Sequence, residues 1–217
     1  MKWFGFKTGL FILALMLAGG LSAHAEDTET KRAWYIPELV NIGAGFHGGY
    51  QKSQDADGGV GFAGAHLRFR VLSFLGIEVA GDATEETFRD KSIDISETPL
   101  SLTGLIYPFG APFTVFPWPV TPYFSGGATW VFFKTDFRRD LVALQAASDV
   151  AHDTAQGWHT GAGFDIGLSR NVTFNVEYRA TFWDFRENID NAAVRAALPD
   201  LSTNNYTVRG GLTFLFK

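Results

Sequence analysis

From Val172 to Phe182 every second residue is apolar or small: Val172, Phe174, Val176, Tyr178, Ala180 and Phe182 alternate with Thr173, Asn175, Glu177, Arg179 and Thr181. Successive side chains of a β-strand point to opposite faces, so this segment has one greasy face and one polar, charged face. With Trp183 the run is longer than the usual strand of about 5–6 residues. It is close to the roughly 9–11 tilted residues that cross a bilayer. Such length with such alternation predicts a membrane-spanning strand of a barrel.

The rest of the composition narrows the alternatives. Lys2 and Lys7 precede an apolar core, Leu10 to Leu17, and Ala23-His24-Ala25 offers small residues at a cleavage site. Residues 1–25 therefore read as a cleaved signal peptide, and residues 26–35 as a polar periplasmic lead-in. No cysteine occurs in the 217 residues, which excludes a disulfide framework and a lipoprotein anchor. The net charge of −5 comes with no basic stripe, which argues against a nucleic-acid partner. The greasiest later run, Leu105 to Val120, is cut by Pro108, Pro112, Pro117 and Pro119. Each proline in a helix interior costs about 3 kcal/mol, so that run is expected to be a loop or interface segment. Backbone groups in lipid must pair internally, which leaves a closed barrel as the one way for residues 36–217 to span a membrane.

Eight alternating segments are expected, at about 36–50, 59–71, 76–88, 97–107, 122–135, 157–168, 172–183 and 205–216. Two connections are tight, Leu72 to Leu75 and Ser169 to Asn171, whereas Gln51–Gly58, Glu85–Ser96, Arg138–Gln156 and Glu187–Asn204 are long and polar. Transmembrane barrels have short periplasmic turns and longer outside loops. Starting from the periplasm puts all four long polar connections outside and returns the C-terminus to the periplasm. Pro108 to Thr121 is the exception, a long connection on the short-turn side, and its Phe113, Phe116 and Trp118 suit an interfacial aromatic belt. Helical turns are expected after Asp140, over Leu141 to Val150, and after Asn191, over Ala192 to Leu198. A soluble sandwich or lipocalin-like barrel would turn the apolar faces inward.

The leader, the glycine-rich strands Asn41-Ile42-Gly43-Ala44-Gly45 and Gly161-Ala162-Gly163-Phe164, the Thr121-Pro122-Tyr123 opening and the ending Gly211-Leu212-Thr213-Phe214-Leu215-Phe216 carry a resemblance. Together they make the mature chain similar to the small OmpA/OmpX-type outer-membrane β-barrels. The resemblance implies an all-β, eight-stranded, antiparallel up-and-down transmembrane barrel in the bacterial outer membrane. It implies a monomer embedded in outer-membrane lipid and lipopolysaccharide. Gly211, Phe214 and Phe216 resemble the terminal signal read by the outer-membrane assembly machinery, although Lys217 follows where the family usually ends on the aromatic. The same barrel carries adhesion, lysis resistance, anchoring, lipid enzymology and small-solute passage, so the fold does not settle the role.

Parity along the strands sends His66, Arg68, Arg70, Glu78, Asp82, His159, Asp165, Glu177, Arg179 and Arg209 inward. Both signs are present, and an unpartnered buried charge is costly, so an internal network of ion pairs is expected. One register of the second and third segments sets Arg70 opposite Glu78 and His66 opposite Asp82, and a register shifted by two sets Arg68 opposite Glu78. Arg209 and Asp165 are the first candidates to partner Glu177 and Arg179. Eight strands leave an interior just wide enough to be filled by side chains, which favours a sealed plug, with a narrow solute channel as the alternative. Inward glycines would leave room for water. Enzymatic attack on lipid A would need a hydroxyl and a base within about 3 Å. The sequence has no His-x-Ser pairing, and in Trp158-His159-Thr160 the neighbours face opposite ways. A non-enzymatic structural or surface-binding barrel without cofactor is expected, with an extracellular ligand met through the long loops. Asp149, His152 and Asp153 form a weak metal-binding pattern in one such loop.

Overall fold

The alternation of apolar and polar residues produces strands in β1 (Asn41–Ser53), β2 (Val60–Leu72), β3 (Leu75–Phe88), β4 (Ile93–Ile106), β5 (Phe113–Val115), β6 (Trp118–Phe137), β7 (Asp153–Gly167), β8 (Val172–Phe182) and β9 (Asn205–Phe216). This computed structural model describes residues 41–88, 93–115, 118–137, 153–184 and 203–216. The expected leader and lead-in lie outside the described residues, as do both helical turns, Asp149, His152 and most of the long loops.

Every neighbouring pair is antiparallel, in the order β4-β3-β2-β1-β9-β8-β7-β6-β5, and a further pairing of β4 with β6 closes the ring. The closed barrel therefore has eight long strands. β5 stands outside the ring as a short hairpin on the start of β6, with Phe113 opposite Val120. At about 3.3 Å per residue and a tilt near 45°, the 11 residues of β8 rise about 25 Å, the height of a lipid-facing belt.

The faces are inverted relative to a soluble barrel. Phe46, Trp158 and Tyr178 are 56%, 57% and 54% exposed, while Glu78, Glu177 and Arg209 are 0%, 1% and 3% exposed. Apolar side chains thus form the outer wall from Ile42 and Phe216 at one end to Tyr50, Phe132 and Trp158 at the other. Exposed Lys52, Glu85, Lys134 and Gln156 form a polar collar beyond them. A contiguous apolar exterior of this extent has no stable place in water.

The structure corrects several boundaries. Glu85–Ser96 is mostly strand: Glu85 pairs with Ser96 and Thr87 with Asp94, because two strands can extend past the lipid as a polar hairpin. Pro108–Thr121 contains the β5 hairpin, reached through a turn in which Gly110 takes a φ of 62°, a conformation glycine adopts without strain. Pro99 lies inside β4, opposite Val131 of β6. Lacking an N–H, it leaves a gap in the β3–β4 ladder between the Gly81–Leu100 and Thr84–Glu97 pairs.

The β2–β3 hairpin takes the second of the two expected registers, Arg68 opposite Glu78 and His66 opposite Ala80. The tight turn pairs Leu72 with Leu75. Continued unbroken, that register would set inward Arg68 against outward Val79. A register shift between Arg70 and Leu72 removes the mismatch by one residue and restores face parity. The register that put Arg70 opposite Glu78 does not form.

Leu102 is 46% exposed on β4, midway along the outer belt. Leu102→Arg should lower the unfolding free energy in bilayers by about 2–4 kcal/mol, measured by urea titration of the lipid-refolded protein. A change under about 0.5 kcal/mol would place this face away from lipid.

Candidate functional site

Strand parity brings charges of both signs to mid-height inside the barrel. Glu78 of β3 accepts from Arg68 of β2 through Nη2 at 2.5 Å and Nε at 2.9 Å. It also accepts from Arg209 of β9 at 2.5 Å and Arg179 of β8 at 3.5 Å. Glu177 accepts from Arg179 Nε at 3.0 Å, Arg209 Nη2 at 2.5 Å, Ser125 Oγ at 2.7 Å and Tyr123 OH at 3.2 Å. Asp165 of β7 accepts from Arg68 Nη1 at 2.6 Å and Tyr107 OH at 3.0 Å. Three guanidinium groups meet three carboxylates, and all six residues are under a tenth exposed. Each ion would be costly alone in a dry interior; mutual pairing with extra hydrogen bonds offsets that cost.

Arg209 does reach Glu177, as the sequence led one to expect, but Asp165 partners Arg68 rather than Arg179. The β7–β8 register explains this: Asp165 is opposite Asn175, whereas Gly163 is opposite Glu177. Asp165 therefore sits two residues nearer the short-turn end than the Glu177 level. Arg70 stays outside the cluster. Its Nη2 donates to the carbonyls of Ser73 at 2.5 Å and Gly110 at 3.3 Å, and its guanidinium lies 4.0 Å over the Tyr107 ring.

Asp82, His66 and His159 belong to a second layer. Asp82 contacts His47 Nε2, and His47 Nδ1 lies 3.0 Å from His66 Nδ1 with the two rings stacked. His66 Nε2 lies 2.7 Å from Thr213 Oγ1, which accepts from Asn175 Nδ2 at 3.0 Å. Two facing Nδ1 atoms can share one proton, so one ring donates and the other accepts. His159 is held by the hydroxyls of Thr103 at 2.9 Å and Thr129 at 2.8 Å. Thr213 does place a hydroxyl beside a base, but it is 1% exposed and the barrel wall separates it from any acyl chain outside. His47, Tyr107, Tyr123, Ser125 and Thr213 join the ten expected residues and complete the network. Their parity was legible, but attention to charge alone passes over the uncharged donors that complete it.

The inward glycines are spaces already taken. A Cβ at Gly161 would come 2.9 Å from Glu177 Oε1, and one at Gly163 would come 2.7 Å from the Tyr123 ring. They accommodate large neighbours rather than water, contrary to expectation. Space remains toward the long-connection end, in a cavity of about 30 Å³ whose lining includes Gln51, Glu97, Trp183, Asn205, Arg179 and Arg209. That is room for about two water molecules. At the other end Leu105, Tyr107 and Tyr123 pack into a buried cluster.

Of the terminal residues, Phe214 and Phe216 are 42% and 59% exposed on the outer wall. Gly211 faces inward, where a Cβ would come 2.7 Å from His47 Cβ. Among the described residues no group of three or more His, Cys, Asp or Glu is arranged to hold a metal ion.

Glu177→Gln would leave Arg179 and Arg209 short of a carboxylate. It should lower the unfolding free energy by about 3–5 kcal/mol. Arg170→Gln, in an exposed turn, should change it by less than about 0.5 kcal/mol. Parallel urea titrations in bilayers compare the two; equal effects would show that the cluster does not hold the barrel together.

The fold is shared with solved structures at low sequence identity. Neisserial surface protein A matches with a TM-score of 0.51 and 14% identity over 82% of this chain and 98% of that one. A major outer membrane protein of Thermus thermophilus matches with a TM-score of 0.52 and 11% identity over 82% and 99%. Outer membrane protein W of E. coli matches with a TM-score of 0.50 and 13% identity over 83% and 100%. A search of curated protein sequences found no match. The sequence pattern of the outer membrane protein beta-barrel domain matches residues 11–214. With that match over an inside-out, closed antiparallel barrel, the chain belongs to the outer membrane protein beta-barrel domain family and resides in the bacterial outer membrane.

Proposed function

We propose that the protein is a sealed, lipid-anchored scaffold that presents its long connections at the cell surface, and that it performs no chemistry of its own. The observation that supports this reading is the cluster of Arg68, Arg179 and Arg209 with Glu78, Glu177 and Asp165, which bridges β2, β3, β7, β8 and β9 across the interior. A solute path would have to pull these ion pairs apart. The outer wall meets lipid and lipopolysaccharide, and the connections after β1, β3, β6 and β8 meet an extracellular ligand. The barrel works as a monomer.

In planar bilayers the purified protein should show no steady conductance; a steady large conductance would overturn the seal and favour a narrow channel. Lipid A from cells with and without the protein should carry the same acyl chains, and loss or gain of one would establish an enzyme instead. The exposed Phe216 at the end of β9 is proposed to be read by the assembly machinery. Phe216→Ala should then lower the heat-modifiable, folded fraction in cell envelopes, and an unchanged fraction would remove that role.

A further inference from the structure

Two buried carboxylates at the long-connection end stand apart from the neutral cluster below them. Glu86 is 0% exposed and Glu97 is 2% exposed. Glu86 is met by the side chains of Ser53 and Gln51, and Glu97 by that of Gln51. Gln51 Nε2 donates to Glu97 Oε2 at 3.3 Å, and the Ser53 backbone N–H donates to Glu86 Oε1 at 3.1 Å. The second oxygen of each, Glu86 Oε2 and Glu97 Oε1, has no partner. Glu86 is near enough to repel Glu97. No ion pair among the described residues neutralises either, and Lys52 points outward into the polar collar. The adjoining Glu85 is part of that collar, so Glu86 lies at the collar level, and Glu97, opposite Phe133, at the upper edge of the lipid belt.

A third unpartnered acceptor comes from another strand. Asn205 of β9 is 5% exposed, its Oδ1 has no partner, and it lines the same cavity as Glu97 and Gln51. The cavity also has apolar walls, Phe62, Val131 and Trp183. Arg179 and Arg209 form its floor, but their charge is matched by Glu78 and Glu177. Arg209 Nη1 and Trp183 Nε1 are unpartnered donors on residues of the same lining.

We propose that this cavity is a binding site for a small organic ammonium ion, with Glu97 and Asn205 as its direct acceptors and Glu86 as a supporting charge. A primary ammonium has three N–H donors, two for the orphan oxygens of Glu97 and Asn205 and one left for water. A calcium ion would want about 6–8 oxygen ligands, more than these residues supply. The space for about two waters fits the two heavy atoms of methylammonium, and the aromatic wall suits its methyl group and its charge. The site needs the barrel but not the seal beneath it, so a conducting barrel would leave the proposal standing.

Trp183 supplies the readout, because its indole Nε1 belongs to the cavity lining. The full barrel, refolded in lipid nanodiscs with 15N-labelled tryptophan, is titrated with methylammonium chloride. The Trp183 resonance is identified among the six tryptophans by its loss in Trp183→Phe. The expected result is a saturable shift of that resonance, absent with sodium chloride at equal ionic strength. Glu97→Gln, confirmed as folded by heat-modifiable migration, should raise the Kd at least about tenfold. If that variant does not fold, Asn205→Ala should weaken binding in the same titration. No saturable shift, an equal shift with sodium chloride, or unchanged affinity in the folded variant would overturn the site. Burial and the neighbouring Glu86 push the Glu97 carboxyl up to about 8, so the titration is run above that pH, where methylammonium is still charged.

Discussion

Inside a bilayer no water reaches the backbone, so each strand must find hydrogen-bonding neighbours on both edges. The ladder between β4 and β6, from Ile93–Phe137 to Ile106–Phe124, satisfies that requirement by closing the ring. The other features follow from closure. A closed ring separates two faces, and lipid outside requires the apolar side chains of every strand to point outward. The polar side chains are then confined inside, where they must satisfy one another.

The interior solves that problem by neutrality and by size. Three arginines meet three carboxylates, and Tyr107, Tyr123 and Ser125 occupy lone pairs that would otherwise be orphaned. Inward glycines stand where large side chains cross, so the filling is stepped rather than uniform. The ion pairs are concentrated at mid-height and toward the short turns, where Arg70 Nε, Thr121 Oγ1 and Arg209 Nη1 are without partners. The orphaned atoms Glu86 Oε2, Glu97 Oε1, Trp183 Nε1 and Asn205 Oδ1 gather at the long-connection end.

Much of this was legible in advance because the side-chain period of a strand is two residues. Parity alone separates Glu177 from Tyr178 and Arg209 from Val208, the first of each pair buried and the second exposed. Pairing was less legible. Glu177 was rightly matched with Arg209, yet Asp165 goes to Arg68, since partners are set by height in the barrel as well as by face. Uncharged residues such as Thr213 were passed over because a hydroxyl gives no signal until its neighbours are known. The polarity of Glu85–Ser96 does not distinguish an irregular loop from a polar hairpin that extends beyond the lipid, because both have the same composition.

The sequence by itself determined the class of the fold and the faces of the eight membrane-spanning segments, because alternation over membrane-spanning length has few physical solutions. It also determined that charges of both signs would be shut inside. Tertiary structure alone decided which charges meet. The one-residue shift between Arg70 and Leu72 sets Arg68 against Glu78, and the β7–β8 and β8–β9 registers set Glu177 against Gly163 and Arg209. Register is a long-range property, fixed by turns, bulges and ring closure together. No local stretch of residues carries it.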